Sequence, residues 1–137
     1  MKFWIYMTFM AIIVPLVLLG VGLYYTKCPP EKIYTDFGYK TPLTLKNDDI
    51  WAFAHQCCGK TWIKLGLIMI PISIAIMVIP LFISEDAMSI FSVALFALQC
   101  VAVFFSFRRV KATILTVFDE NGNRRAAAPA VEETPAE

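Results

Sequence analysis

Three uninterrupted apolar stretches, residues 3–25, 62–83 and 88–107, constrain this chain more than any other feature. Each approaches or exceeds the ~20 residues that an α-helix needs to cross a hydrocarbon core of ~30 Å. Lys64, near one end of the second stretch, is the only charged residue within them. A water-soluble fold of 137 residues has too little interior to hide all three. The 58% hydrophobic content and the mean hydropathy of +0.65 place the chain in the membrane class. The expectation is an all-α integral membrane protein with three transmembrane helices, because a helix satisfies its own backbone polar groups where lipid offers no partners.

The distribution of charge orients those helices. Of the 12 Lys and Arg residues, Lys27, Lys32, Lys40, Lys46, Lys60 and Lys64 lie between the first span and the early turns of the second, while Arg108, Arg109, Lys111, Arg124 and Arg125 follow the third. Lys2 stands alone at the N-terminus, and the short link 84–87 carries Glu85 and Asp86 with no base. The positive-inside rule then predicts an external N-terminus, with loop 26–61 and the C-terminus cytoplasmic. The first span exceeds the 7–15 residues of a secretory signal core, so it reads as a retained helix. Trp4 and Tyr6 mark its outer edge, and Tyr24, Tyr25 and Trp62 the inner one. Pro15, Pro71 and Pro80 fall inside spans, where neighbouring groups must satisfy the carbonyls they free. Residues 1–125 read as one membrane domain, and the Ala-, Pro- and Glu-rich segment 126–137 as a disordered tail.

The loop carries the specific signals. Pro29 and Pro30 should end the first helix, and Thr41 before Pro42 favours extended geometry. Asn47 is a good N-cap, with Asp48 and Asp49 placed where the helix dipole favours negative charge. From there Ile50, Trp51, Phe53, Ala54, Cys57, Cys58 and Thr61 fall within one arc of about 160°. Asp48, Asp49, Ala52, His55, Gln56, Gly59 and Lys60 take the opposite side. This pattern predicts a cytoplasmic amphipathic helix over 48–59, lying at the membrane interface and bending near Gly59 into the second span. A continuous helix projecting into the cytoplasm is the alternative. Lys64 can snorkel back to the headgroups.

Gly38-Tyr39-Lys40-Thr41-Pro42, followed by Lys46-Asn47, Trp51, Ala54 and Gly59, resembles the signature of the SdpI/YfhL family of bacterial membrane proteins. Lys40 stands where Arg is commoner, which loses bidentate recognition of an anion. Phe118 through Asn123 is similar to the end of family members. The resemblance implies a bacterial inner-membrane location and immunity toward a secreted killing peptide. The family's namesake also sequesters a transcriptional repressor, but it carries an additional N-terminal membrane region, and this chain resembles the short, three-span form. A peptide toxin and a cytoplasmic regulator are therefore the implied partners besides the lipid bilayer. Gly38, Tyr39, Lys40, Thr41, Pro42, Asn47, Trp51 and Gly59 are the candidate partner-binding residues. In that role Gly38 supplies a turn, Tyr39 docks at headgroup level, Lys40 takes a phosphate or carboxylate, and Trp51 anchors the surface helix. The competing reading is structural: a turn folding the loop onto the membrane, Asn47 a cap and Trp51 an interface anchor.

Other chemistries find little footing. His55, Cys28, Cys57 and Cys58 contain the residue types of a zinc site, but His55 and Cys57 point about 160° apart on a helix and no Cys-x-x-Cys pair exists. No metal or other cofactor is expected. The spans hold no carboxylate, His or Arg, and no triad surrounds His55, so no enzyme is expected. A small transporter lacks the intramembrane ionisable residue such proteins use. Gln99, a buried amide in need of a partner, could join helices or, in a homo-oligomer, subunits. A membrane scaffold or signalling protein recruiting a cytoplasmic partner, or a small oligomeric transporter, is the alternative function. Arg108, Arg109 and Lys111 form a juxtamembrane cluster attracted to anionic lipid. The β-branched run 110–118 reads as a short strand or a fraying helix end before the Asn121-Gly122 turn. No repeat, phosphate-binding loop or nucleic-acid motif occurs, so no nucleic-acid partner is expected.

Overall fold

The computed structural model describes residues 2–28 and 38–125. Three long helices dominate them: α1 (Lys2–Lys27), α2 (Asp48–Val78) and α3 (Glu85–Val117), each long and apolar enough to cross a membrane. Asn47 caps α2 from an extended backbone, its side chain accepting from the Ile50 N–H at 2.9 Å. Ser84 caps α3 in the same way through the Ala87 N–H, with Glu85 and Asp86 in the first turn. Pro80 lies where α2 tightens into a 3-10 turn, Ile79–Phe82.

At ~1.5 Å per residue, the 31 residues of α2 and 33 of α3 run roughly 46 and 50 Å, well beyond a ~30 Å hydrocarbon core. The excess of each lies at the same end of the bundle, residues 48–61 of α2 and 108–117 of α3. With loop 38–47 and the segment 118–125 it builds a collar. The run 110–118 is thus helical almost throughout. Val110, Ile114 and Val117, spaced i, i+4 and i+7, are buried, and this packing overrides their β-branched preference. The tail 126–137 and Pro29 with Pro30 lie outside the described residues.

At Gly59, the expected bend point, α2 runs on without interruption, as in the continuous-helix alternative. The glycine serves proximity instead. A Cβ on Gly59 would stand 2.9 Å from the Gly22 carbonyl oxygen, and one on Gly22 2.9 Å from that of Gly59. Seven residues along each helix the seam repeats, a Cβ on Gly66 falling 2.8 Å from the Pro15 oxygen. Small residues let α1 and α2 backbones touch, which is how helices gain packing energy in lipid.

Deeper in the bundle a polar node ties all three helices. Pro15 has no N–H to give the Ala11 carbonyl, and Gln99 Nε2 of α3 fills that gap at 2.8 Å. The same amide nitrogen donates to Ser73 Oγ of α2 at 2.9 Å. Gln99 thus makes the interhelical bond anticipated from its burial. At the opposite end from the collar, Trp4 Nε1 donates to the Met77 carbonyl at 2.6 Å, tying α1 to α2. Apolar side chains face outward, Phe82 82% and Val93 70% exposed, while Ser73, Gln99 and Ser106 are buried. That arrangement suits a lipid surround.

Candidate functional site

The motif residues gather in the collar. Gly38 lies flat against the rings of Trp51 and His55; a Cβ there would come within 2.7 Å of Trp51 Cη2 and 2.9 Å of His55 Nε2. Its role is close approach, and the side chains it admits are central. Trp51 is 1% exposed, covered by the protein itself and not left to the membrane surface. Ile50, Ala54 and Cys58 of the same arc are fully buried, closed over by the loop and the segment after α3.

His55 departs furthest from the sequence reading, which set it on the polar side. It is fully buried. Tyr39 N–H donates to Nε2 at 2.9 Å, and Nδ1 stands 2.7 Å from the Trp51 carbonyl, to which it must donate. Those two bonds fix the neutral Nδ1–H tautomer and leave no lone pair for a metal. Position 55 sits one turn beyond Trp51, so the loop that covers Trp51 covers it too. The signal available in the sequence was that spacing, together with a loop whose backbone N–H groups needed an acceptor.

The loop is held by its own threonines. Thr44, which the sequence reading passed over, is fully buried; its Oγ1 accepts from Thr41 N–H at 2.8 Å and donates to the Tyr39 carbonyl at 3.0 Å. Thr41 Oγ1 accepts in return from Thr44 N–H at 3.2 Å. Pro42 is exposed on this turn. Asn47 has a second task besides capping: its Nδ2 donates to the Gly122 carbonyl at 2.8 Å. Gly122 needs to be glycine twice over, with φ at +92° and Ile50 Cδ1 only 3.2 Å from where a Cβ would be.

A tight turn after α3 completes the collar. Asp119 accepts from the backbone N–H of Asn123 at 2.8 Å and of Asn121 at 3.0 Å. Those N–H donors, the Asn123 bond foremost, hold its carboxyl below the usual range. Phe118 is fully buried against Phe53. Lys46 Nζ donates to the Glu120 carbonyl, and Arg124 pairs with Asp49 at 3.3 Å, so both sides of the turn clasp the start of α2.

Between these elements opens a cleft of about 500 Å³, lined by Tyr25, Gly38, Tyr39, Lys40, Thr41, Trp62 and Phe107. Its walls are aromatic: Tyr39 stacks on Phe107 with centroids 5.8 Å apart, Phe107 meets Trp62 edge-on at 5.3 Å, and Trp62 stacks on Tyr25 at 5.9 Å. Trp62 is pinned by a bond from Nε1 to Ser106 Oγ at 3.1 Å. Burial pushes the Tyr39 phenol above its ordinary range, so it stays neutral. Lys40 is exposed at the rim and has no carboxylate partner among the described residues. An apolar, aromatic hollow with one cation at its mouth suits an amphipathic ligand bearing a carboxylate or phosphate. Of the sequence candidates, Gly38, Tyr39, Lys40 and Thr41 line this cleft. Trp51 stands behind it against Gly38, Asn47 ties the start of α2 to the turn after α3, and Gly59 belongs to the seam with α1.

No curated protein and no solved structure matches the chain. The family model described as the SdpI/YfhL protein family matches residues 27–107. That match spans more than half of the sequence and takes in the loop, the second helix and the membrane part of the third. The chain belongs to the SdpI/YfhL family of membrane proteins.

Proposed function

We propose that this protein is a bacterial inner-membrane immunity factor that protects its cell against a membrane-active peptide toxin. The observation that carries the reading is the convergence of Gly38, Tyr39, Lys40 and Thr41 on one aromatic cleft. A toxin of this kind kills by inserting an amphipathic segment and dissipating ion gradients. A collar that holds such a segment in its cleft, with a carboxylate on Lys40, keeps it from assembling a lesion. In this reading the N-terminus is external and the collar cytoplasmic, as the excess of bases on that side favours.

The test is membrane depolarisation in a peptide-sensitive bacterium expressing the protein at matched levels. Wild type should blunt the response to its cognate peptide, and Lys40→Ala and Tyr39→Ala should restore it. Protection unchanged in both variants would remove the cleft from the mechanism. A second reading, recruitment of a cytoplasmic regulator, draws on the helical excess of α2 and α3, which provides a protein surface clear of the lipid. It predicts regulator capture by membranes that depends on the collar and not on Gln99.

A further inference from the structure

We propose that the groove between α2 and α3 is a binding site for one anionic phospholipid. The groove, about 410 Å³, lies on a different face from the motif cleft and shares no lining residue with it. From α2 it takes Thr61, Lys64, Leu65 and Ile68, and from α3 Ala102, Phe105, Ser106 and Arg109.

The order of these residues is the substance of the argument. The helices are antiparallel, so Thr61 and Lys64 at the collar end of α2 stand beside Ser106 and Arg109 of α3. Leu65 and Ile68 descend beside Phe105 and Ala102. The Thr61 and Ser106 hydroxyls are spent on the Cys57 and Val103 carbonyls, so the groove is cationic at the collar-side headgroup level through Lys64 and Arg109, and apolar below it. A phospholipid has the same sequence of chemistry along its length. Ile68 and Phe105, 58% and 59% exposed, open the lower part to acyl chains.

Charge selects the class of lipid. Among the described residues no acidic side chain lines the groove, and neither Lys64 nor Arg109 makes an ion pair. Two uncompensated cations favour a phosphodiester whose headgroup carries no amine; a zwitterionic lipid would bring its own positive charge beside them. Arg109 can hold a phosphate bidentately while Lys64 supplies a point charge from the other helix. The site does not depend on the toxin reading.

The experiment uses the full chain purified in a neutral maltoside detergent. Apparent affinities for dioleoylphosphatidylglycerol and dioleoylphosphatidylcholine are read from the shift of the thermal midpoint on titration. At about five-fold per cation, wild type should prefer the anionic lipid by on the order of 25-fold. Lys64→Gln with Arg109→Gln should abolish that preference. The charge-matched control, Arg108→Gln with Lys111→Gln, removes the two cations of the juxtamembrane cluster that lie outside the groove and should keep most of that preference. Ala102→Phe, which leaves both cations and fills the groove, should also weaken the anionic lipid. Equal affinities in wild type, a preference that survives the groove pair or Ala102→Phe, or equal loss in the control pair would overturn the site. So would full competition by water-soluble glycerophosphoglycerol, since phosphate alone would then account for binding.

Discussion

The collar and the membrane half of this bundle are held together by different means. In the collar, hydrogen bonds cross between segments far apart in sequence: Tyr39 to His55, Asn47 to Gly122, Lys46 to Glu120, and Arg124 to Asp49. They enclose a core of Ile50, Trp51, Phe118 and Ile114 that water would otherwise touch. In the membrane half, burial of apolar surface gives no comparable drive, because lipid is as apolar as the interior. There the helices rely on the Gly22–Gly59–Gly66 seam and on a few interhelical bonds, from the Gln99 amide at the centre and from the indoles of Trp4 and Trp62 toward the two ends. The lesson is that one continuous helix, α2, serves two solvents, and each half of it packs by the rule of its own surroundings.

Substitutions can break this contrast. Trp51→Ala should cost ~3–5 kcal/mol of collar stability. By hydrogen exchange, amides of 50–58 should lose protection while those of the spans keep theirs; equal loss in both would mean that the halves are one cooperative unit. Gly59→Leu lies at the junction and should cost about 1–3 kcal/mol by forcing α1 from α2. Its thermal midpoint should fall, and a midpoint unchanged from wild type would remove the seam from the account.

Gln99→Leu should act on the membrane half alone, by ~0.6–2 kcal/mol, since it orphans the Ala11 carbonyl. The contrast sharpens in a double-mutant cycle. Pro15→Ala restores an N–H for that carbonyl, so the cost of Gln99→Leu should shrink in its presence. Strict additivity would show that the proline gap is not what the amide answers. Asn47→Ala should cost about 1 kcal/mol through the lost cap, seen as faster exchange in the first turn of α2. Asp119→Ala should have the least effect, loosening only the turn 119–123. Because its folded-state pKa is depressed, its contribution is present above the ordinary carboxylate range and lost as pH falls through the folded value. A Phe118 side chain as rigid in the variant, and in acidified wild type, as it is in wild type at neutral pH would dismiss even that.

Much of this architecture was legible in the sequence because its determinants are local. Apolar runs gave the three spans, and Asn47 caps α2 as its residue type suggested. What escaped was set by segments that meet only in the fold. A helical wheel gives each residue one environment, but the loop wraps a second side of α2, which is why His55 is buried. Gly59 read as a weak point in a helix, when the partner that explains it, Gly22, lies on another helix. The run 110–118 has β-branched residues yet is held helical by burial against α2. For the site, Gly38 through Thr41 of the motif meet at one cleft, whereas Thr44 and Phe107 enter its construction only through tertiary packing.

The bond from Gln99 to the Ala11 carbonyl also has a meaning in time. Ala11 leaves the ribosome 88 residues before Gln99. At a synthesis rate of 5–20 residues per second, that interval is on the order of ten seconds. Throughout it the first helix carries a carbonyl that its own proline has left without a donor. The glycine seam can pair the first two helices meanwhile, but the defect persists until the last one arrives. Insertion of the third helix is thus the event that closes the bundle, and a nascent chain stalled before it would expose to the membrane's quality-control proteases a helix pair still marked as unfinished.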